Sequence, residues 1–499
     1  MKKFYILSAF LCCLFMTATA QTTMNVRSGQ VTYVYKMSTV GDMEFAIGSR
    51  LIVNGKAFNV ASASNTDFID EISLGDNEVA DNTVSVTYSG STASVVVAGN
   101  IASQVTVTAS GAQVSVIQDE ALQQEVTYTL SGSSTNGSFL MDGDYKANVV
   151  LNGLTLTNTK GAAIDIENGK AIAVTLTGAN TLCDAAGGSH SATLYIEGHP
   201  TFSGSGSLEL KGLTKHAFAS DEYVVVAGGT ITVSQAATDG FHINERFQMD
   251  GGTLNITSKG DAIDVGFRGV NKGTKDQYER NGFLELNGGT IVASCSGAGA
   301  KALKADSTIV IAGATVTATT SADAYFDTTE NDISSSSAVK PDGEFRMTSG
   351  TLTATSTGDG GKGINATGAV TISGGNIYVT TTGDVWEHGA DDTKPQGIKS
   401  DANITISGGN VYVCAGSYDG KATAFKPGDT GIFTINGGTV MGIARKKTTV
   451  STASTQKTAT ASSQKITAGQ TYSFSGVSYT IPAGYNNTSA NVIVSRAGL

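Results

Sequence analysis

A short strand closed by a small-residue doublet recurs along the chain, and this recurrence limits the fold more than any other feature. It reads VVVAGGTITV (224–233), FQMDGGTLNI (247–256), FLELNGGTIVA (283–293), TIVIAGATVTA (308–318), FRMTSGTLTA (345–354), AVTISGGNIYV (369–379), NITISGGNVYV (403–413) and IFTINGGTV (432–440). The steps between doublets are 23, 37, 25, 36, 25, 34 and 29 residues, so the basic repeat is 23 to 25 residues, with loops added in the longer steps. Side chains alternate along a strand, so the residues two apart before each doublet share a face. Those pairs are Val224/Val226, Phe247/Met249, Leu284/Leu286, Ile309/Ile311, Phe345/Met347, Val370/Ile372, Ile404/Ile406 and Phe433/Ile435, every one apolar. The glycines between them permit a bend that a residue with a Cβ resists.

A second landmark follows each doublet: a small residue, then a large apolar one. Examples are Ala217-Phe218, Gly240-Phe241, Ala262-Ile263, Ala302-Leu303, Ala324-Tyr325, Gly363-Ile364, Gly397-Ile398 and Ala424-Phe425. Stacked repeats would bring these residues into internal ladders about 4.8 Å apart. A β-propeller blade needs about 40 or more residues. The expected fold is therefore all-β, a right-handed parallel β-helix (solenoid) over 83–445. A small β-hairpin module (21–82) precedes it, and a linker and C-terminal cap (446–499) follow.

Residues 1–20 read as a signal peptide, with Lys2 and Lys3, an apolar run to Met16 and the small residues Ala18-Thr19-Ala20. The run is too short to span a bilayer. Location outside the cytoplasm, secreted or at the cell surface, is the expectation. Without that segment 30 basic residues face 43 acidic ones, which argues against nucleic acid or an anionic membrane as partner. Three scattered cysteines, Cys183, Cys295 and Cys414, give no disulfide framework.

From about Tyr128 to Leu499 the chain resembles secreted right-handed β-helix carbohydrate-binding proteins, similar in architecture to pectate lyases. The likeness is carried by YTLSG (128–132), VVLNGLTLTNTKGAAI (149–164), NTLCD (180–184), GSGSLEL (204–210), ATDGFHI (237–243), SKGDAIDV (258–265), AKALKAD (300–306) and QGIKSDANITISGG (396–409). It implies binding of cellulose-like or acidic plant polysaccharide, with calcium in the β-helix. The chain departs from the family at Ala262 and Ala302, where glycine is usual.

The second landmark carries outward positions on either side of its apolar residue. Two residues before it stand His216, Asp239, Asp261, Lys301, Asp323, Lys362 and Gln396; one residue after it stand Ala219, His242, Asp264, Lys304, Phe326, Asn365, Lys399 and Lys426. Asp239 and Asp261 lie one repeat apart, and like charges that close call for a cation or a counter-charge. Asp239, Asp261 and Asp264 are thus candidate calcium ligands, with ion pairing to Lys301 and Lys304 as the alternative. Lys304, Lys399 and Lys426 form a row suited to uronic-acid carboxylates, with Asp401 and Asp429 as nearby counter-charges. Tyr378 and Tyr412 take one outward position in consecutive repeats, and Trp386 lies in the inserted loop between them. Exposed rings of this kind suit the apolar faces of sugars, with cross-bracing of neighbouring strands by the tyrosine pair as the alternative.

These features point to non-catalytic polysaccharide binding by a monomer, with calcium as a cofactor. A pectate-type lyase using Lys304 or Lys399 as base is the first alternative, and a structural or adhesive surface protein the second.

Overall fold

A computed structural model describes residues 21–46, 50–60, 68–268, 280–417 and 421–499, so the expected signal peptide lies outside the described residues. Among these the chain is all-β, with two single-turn 3-10 segments, Met37–Thr39 and Gly99–Ile101, and no α-helix. A 25-stranded sheet and a 13-stranded sheet hold most strands, and four small antiparallel sheets of two or three strands complete the structure.

The apolar positions of the repeat explain the pairing. In the long sheet Val224, Phe247, Leu284, Ile309, Phe345, Val370, Ile404 and Phe433 stand in register, each beside the next through parallel strands. In the second sheet Ile164, Leu194, Phe218, Phe241, Ile263, Leu303, Val339, Ile364, Ile398 and Phe425 form the matching row. All are buried in one core. Each such side chain contributes roughly 1.5–3 kcal/mol when fully buried.

The right-handed β-helix solenoid expected from the repeat does not stand. The parallel strands close on the common core as a barrel-like body to which further sheets are joined. The long sheet is also mixed: strands Thr23–Ser28, Val31–Lys36 and Glu71–Gly75 enter it, as do Thr458–Ile466 and Asn487–Ser495 at the other end. The physical reason lies in what a repeat specifies. Periodic apolar residues fix which strand lies beside which; they fix neither the hand of the connections nor the closure of the sheets.

Both ends are tied into the long sheet. Val31–Lys36 pairs in parallel with Thr92–Ala98, so backbone pairing crosses the expected boundary at 82/83. Residues Thr458–Ile466, read as part of a linker, form a strand antiparallel to Asn487–Ser495, which itself pairs with Phe433–Ala444.

Candidate functional site

Two of the long repeat steps are hairpins set on the outer face of the 13-stranded sheet. Tyr325–Asp327 pairs with Asp332–Ser334, and Trp386–His388 pairs with Asp391–Thr393. Phe326 stacks on His388 at 4.2 Å between ring centroids, and Trp386 lies parallel to His388 at 6.0 Å. Ser335 and Thr393 hydroxyls meet at 2.9 Å. The hairpins thereby wall a cleft of about 710 Å³. Its floor carries Lys301, Lys340, Lys362, Asn365 and Lys399 from four consecutive parallel strands, and its walls carry Asp327, Glu330, Asp332, Asp391 and Asp392.

Strand alternation makes the floor. Lys304 pairs with Lys340, and Asn365 with Lys399, which pairs in turn with Lys426. Lys301, Ser337, Lys362 and Gln396 form the parallel row beside it. Ser337 and Lys340, not Asp323 and Phe326, occupy these places in the rows. Ala338-Val339, not Ala324-Tyr325, is the landmark of this repeat, and Tyr325 opens an inserted hairpin. The 36-residue step at this point was the available signal.

The lysines differ in state. Lys304 is paired with Asp264 at 2.8 Å; burial disfavours its charge, but the carboxylate outweighs that and holds the amine above its ordinary value. Lys399 is paired with Asp401 at 2.6 Å, and Lys426 with Asp429 at 3.2 Å. Lys362 is only 5% exposed, and burial pushes its amine down to about 7. It donates to the Ser335 and Thr393 hydroxyls and to the Gly360 carbonyl oxygen, the last two at 2.6 and 3.4 Å. Burial also lowers Lys301, whose ammonium donates to Ser334 Oγ at 2.9 Å.

The three aspartates expected to hold calcium do not share one point. Asp261 Oδ1 accepts the Lys301 backbone N–H at 2.7 Å, and burial raises its carboxyl to about 7. Asp239 Oδ1 likewise accepts the Asp261 backbone N–H at 2.8 Å. Asp323 and Asp359 repeat the device toward the backbone of Asp359 and Asp384. Asp264 ties to Lys304 and, at 3.3 Å, to His242. Among the described residues no group of three converging ligands contains all three aspartates. The set therefore does not fit calcium, which takes six to eight oxygen ligands. Backbone N–H groups thus satisfy carboxylates that like-charge repulsion alone would assign to a cation.

His216 and His242 flank Asp239. Burial alone would raise Asp239, but the two imidazoles outweigh it and hold the carboxyl well below the usual range. Asp239 and Asp264 together raise His242 to about 9, while burial lowers His216.

Tyr378 and Tyr412 are stacked at 5.7 Å, yet they belong to the long sheet and not to the cleft. Tyr479 of the C-terminal hairpin lies on Tyr412 at 4.6 Å and near Tyr378 at 6.2 Å, so this pair is covered. Of the six residues expected to bind sugar, Lys399 therefore lines the cleft, Trp386 belongs to one of the hairpins that wall it, Lys304 stands beside its floor and Lys426 one strand beyond.

Fold and cleft define an all-β protein with a polar groove edged by aromatic rings. The chain belongs to the carbohydrate-binding domain-containing protein family, whose model matches residues 103–385. That span includes His216, Asp239, His242, Lys304 and Lys362; Lys399, Tyr412 and Lys426 lie beyond it. A solved structure described as the polysaccharide lyase-like protein from C. thermocellum, a gadolinium derivative, is similar at 23% identity and a TM-score of 0.39. The similarity covers 48% of this chain and 91% of that one. No match was found among curated proteins.

Proposed function

We propose that the chain is an extracellular, non-catalytic polysaccharide-binding protein that takes acidic sugar chains in the hairpin-walled cleft. The observation that carries this reading is the lysine floor. Lys340 and Lys399 line the cleft from strands two apart, with Asn365 on the strand between them. Ammonium groups there suit uronate carboxylates, the wall carboxylates suit sugar hydroxyls, and the Phe326–His388–Trp386 edge suits the apolar face of a ring. The test is retention of residues 21–499 on immobilised acidic and neutral polysaccharides. Lys340→Ala with Lys399→Ala should weaken retention on acidic polymers, and the difference should shrink as salt is raised. Unchanged retention would remove the cleft from the reading.

One observation favours a second reading, a polysaccharide lyase. Lys362 lines the cleft with an amine lowered to about 7, as a base that takes a proton from a uronate requires. Lys304 does not suit that role, because its amine is raised. Ultraviolet absorbance from unsaturated products, lost in Lys362→Met, would establish this activity; retention without product supports binding alone.

A further inference from the structure

His216 and His242 lie on strands of the same sheet as the cleft floor but nearer the N-terminus, Asp239 lies just ahead of the second of these strands, and the lysine floor does not use them. His216 belongs to strand His216–Ser220 and His242 to the neighbouring strand Phe241–Ile243. Their rings stack at 4.4 Å with 13° between planes. Both Nδ1 atoms face one oxygen, Asp239 Oδ2, at 3.1 Å from His216 and 3.4 Å from His242. Asp264 Oδ2, one strand on, is 3.3 Å from the same His242 nitrogen.

We propose that these residues form a site for one divalent d-block cation, of which zinc is the type, held by His216 Nδ1, Asp239 Oδ2 and His242 Nδ1, with Asp264 at the fourth position. The separations carry the assignment. Zinc binds nitrogen at about 2.0–2.1 Å and carboxylate oxygen at about 2.0–2.2 Å, so ligand atoms on a tetrahedron lie about 3.3 Å apart. Three of the six edges of such a tetrahedron are 3.1, 3.4 and 3.3 Å, and the His216, Asp239 and His242 ligand atoms all lie within 4.8 Å of one another.

Hydrogen bonding points the same way. The Nδ1 of His242 is buried and makes no aligned hydrogen bond, although two carboxylates stand beside it. His216 Nδ1 has Thr238 Oγ1 at 3.0 Å as an alternative partner. The supporting groups are in place: Asp239 Oδ1 is engaged by the Asp261 backbone N–H, which aims Oδ2 at the histidines, and Lys304 fixes Asp264. Two imidazoles select against calcium, which prefers oxygen.

The competing occupant is a proton on His242, shared between Asp239 and Asp264. Tag-free protein, stripped with chelator and dialysed, would be titrated with zinc and separately with calcium, following heat release and melting temperature. The expected result is one zinc per chain, a higher melting temperature with zinc and no shift with calcium. His242→Gln and Asp239→Asn should each weaken zinc binding at least tenfold while circular dichroism stays that of the parent. Cobalt(II) should give the intense visible bands of a four-coordinate ion in the parent and lose them in His242→Gln. The proposal is overturned if the folded parent binds no zinc, if both variants bind it as the parent does, or if calcium replaces zinc as the stabilising ion.

Discussion

Adding one methyl group at Gly409 would place a Cβ 2.5 Å from the carbonyl oxygen of Gly375, and Gly409 already has φ of +78°. Gly438 faces Gly409 in the same way one repeat later, at 2.6 Å. The doublets legible in the sequence are thus a column of close backbone approaches, not merely bends. The left-handed conformation alone costs an alanine about 1–2 kcal/mol, and the backbone contact adds to it. Gly409→Ala should therefore lower stability by at least about 2 kcal/mol in chemical denaturation. Asp261 was equally visible, but its role was not: alternation shows that it faces outward, and nothing in the sequence reveals the Lys301 N–H waiting one strand on. Asp261→Ala leaves that N–H without its acceptor, at a cost of about 1–3 kcal/mol; Asp261→Asn keeps an acceptor and should cost less.

Lys362 makes a prediction in pH. Its amine titrates near 7 in the folded protein against an ordinary 10.5. Between those values the unfolded chain holds a proton that the folded chain has released, so stability from this group rises with pH across the window and falls as pH drops toward 7. Lys362→Met should flatten that rise. Denaturation midpoints at pH 7 and pH 9.5, compared between parent and variant, measure it; equal pH dependence in both would mean that the amine is solvated in the folded state.

At the scale of elements, strand parity was legible and the coverings were not. Tyr378 and Tyr412 do point out of the core between Ile377/Val379 and Val411/Val413, all buried. Their pattern holds no trace of the hairpin Thr471–Phe474 with Val477–Thr480, which lays Tyr479 over them from 67 residues beyond Tyr412 and 101 beyond Tyr378. Long-range coverings leave no periodic mark. The same holds for the cleft: the composition of 383–395 announces an insertion, but only the stacking of His388 on Phe326 of the 325–334 hairpin makes a wall. Tyr412→Ala should therefore cost about 1–3 kcal/mol, since it removes a ring packed on Tyr479 and against the C-terminal apolar cluster. Polysaccharide retention should not change. A variant as stable as the parent would show that the tyrosines are free of their cover.

At the scale of the whole molecule, the last parallel strand would carry a row of unpaired N–H and C=O groups unless a further strand paired with it. At the C-terminal end the last parallel strand, Phe433–Ala444, is paired by Asn487–Ser495, and that strand is backed by Thr458–Ile466, both antiparallel. A second apolar cluster forms beneath them from Cys414, Met441, Ile443, Ile466, Val477, Ile481, Tyr485 and Val492. Tyr485 fixes the cap through its hydroxyl, which donates toward the Ala415 and Ile443 carbonyl oxygens at 3.4 and 3.3 Å. Removing residues 450–499 would therefore strip the pairing from Val440–Ala444 and uncover Cys414, Met441 and Ile443 together. A flat apolar edge of this kind recruits further edges, so the shortened protein should associate with rising concentration, read as growing light scattering and loss of monomer on size exclusion. The cleft lies on the other sheet, and its wall contacts do not involve the cap; material kept dilute should still bind acidic polysaccharide through Lys340 and Lys399. A shortened chain that stays monomeric at high concentration would show that the edge is protected by its own twist and not by the cap.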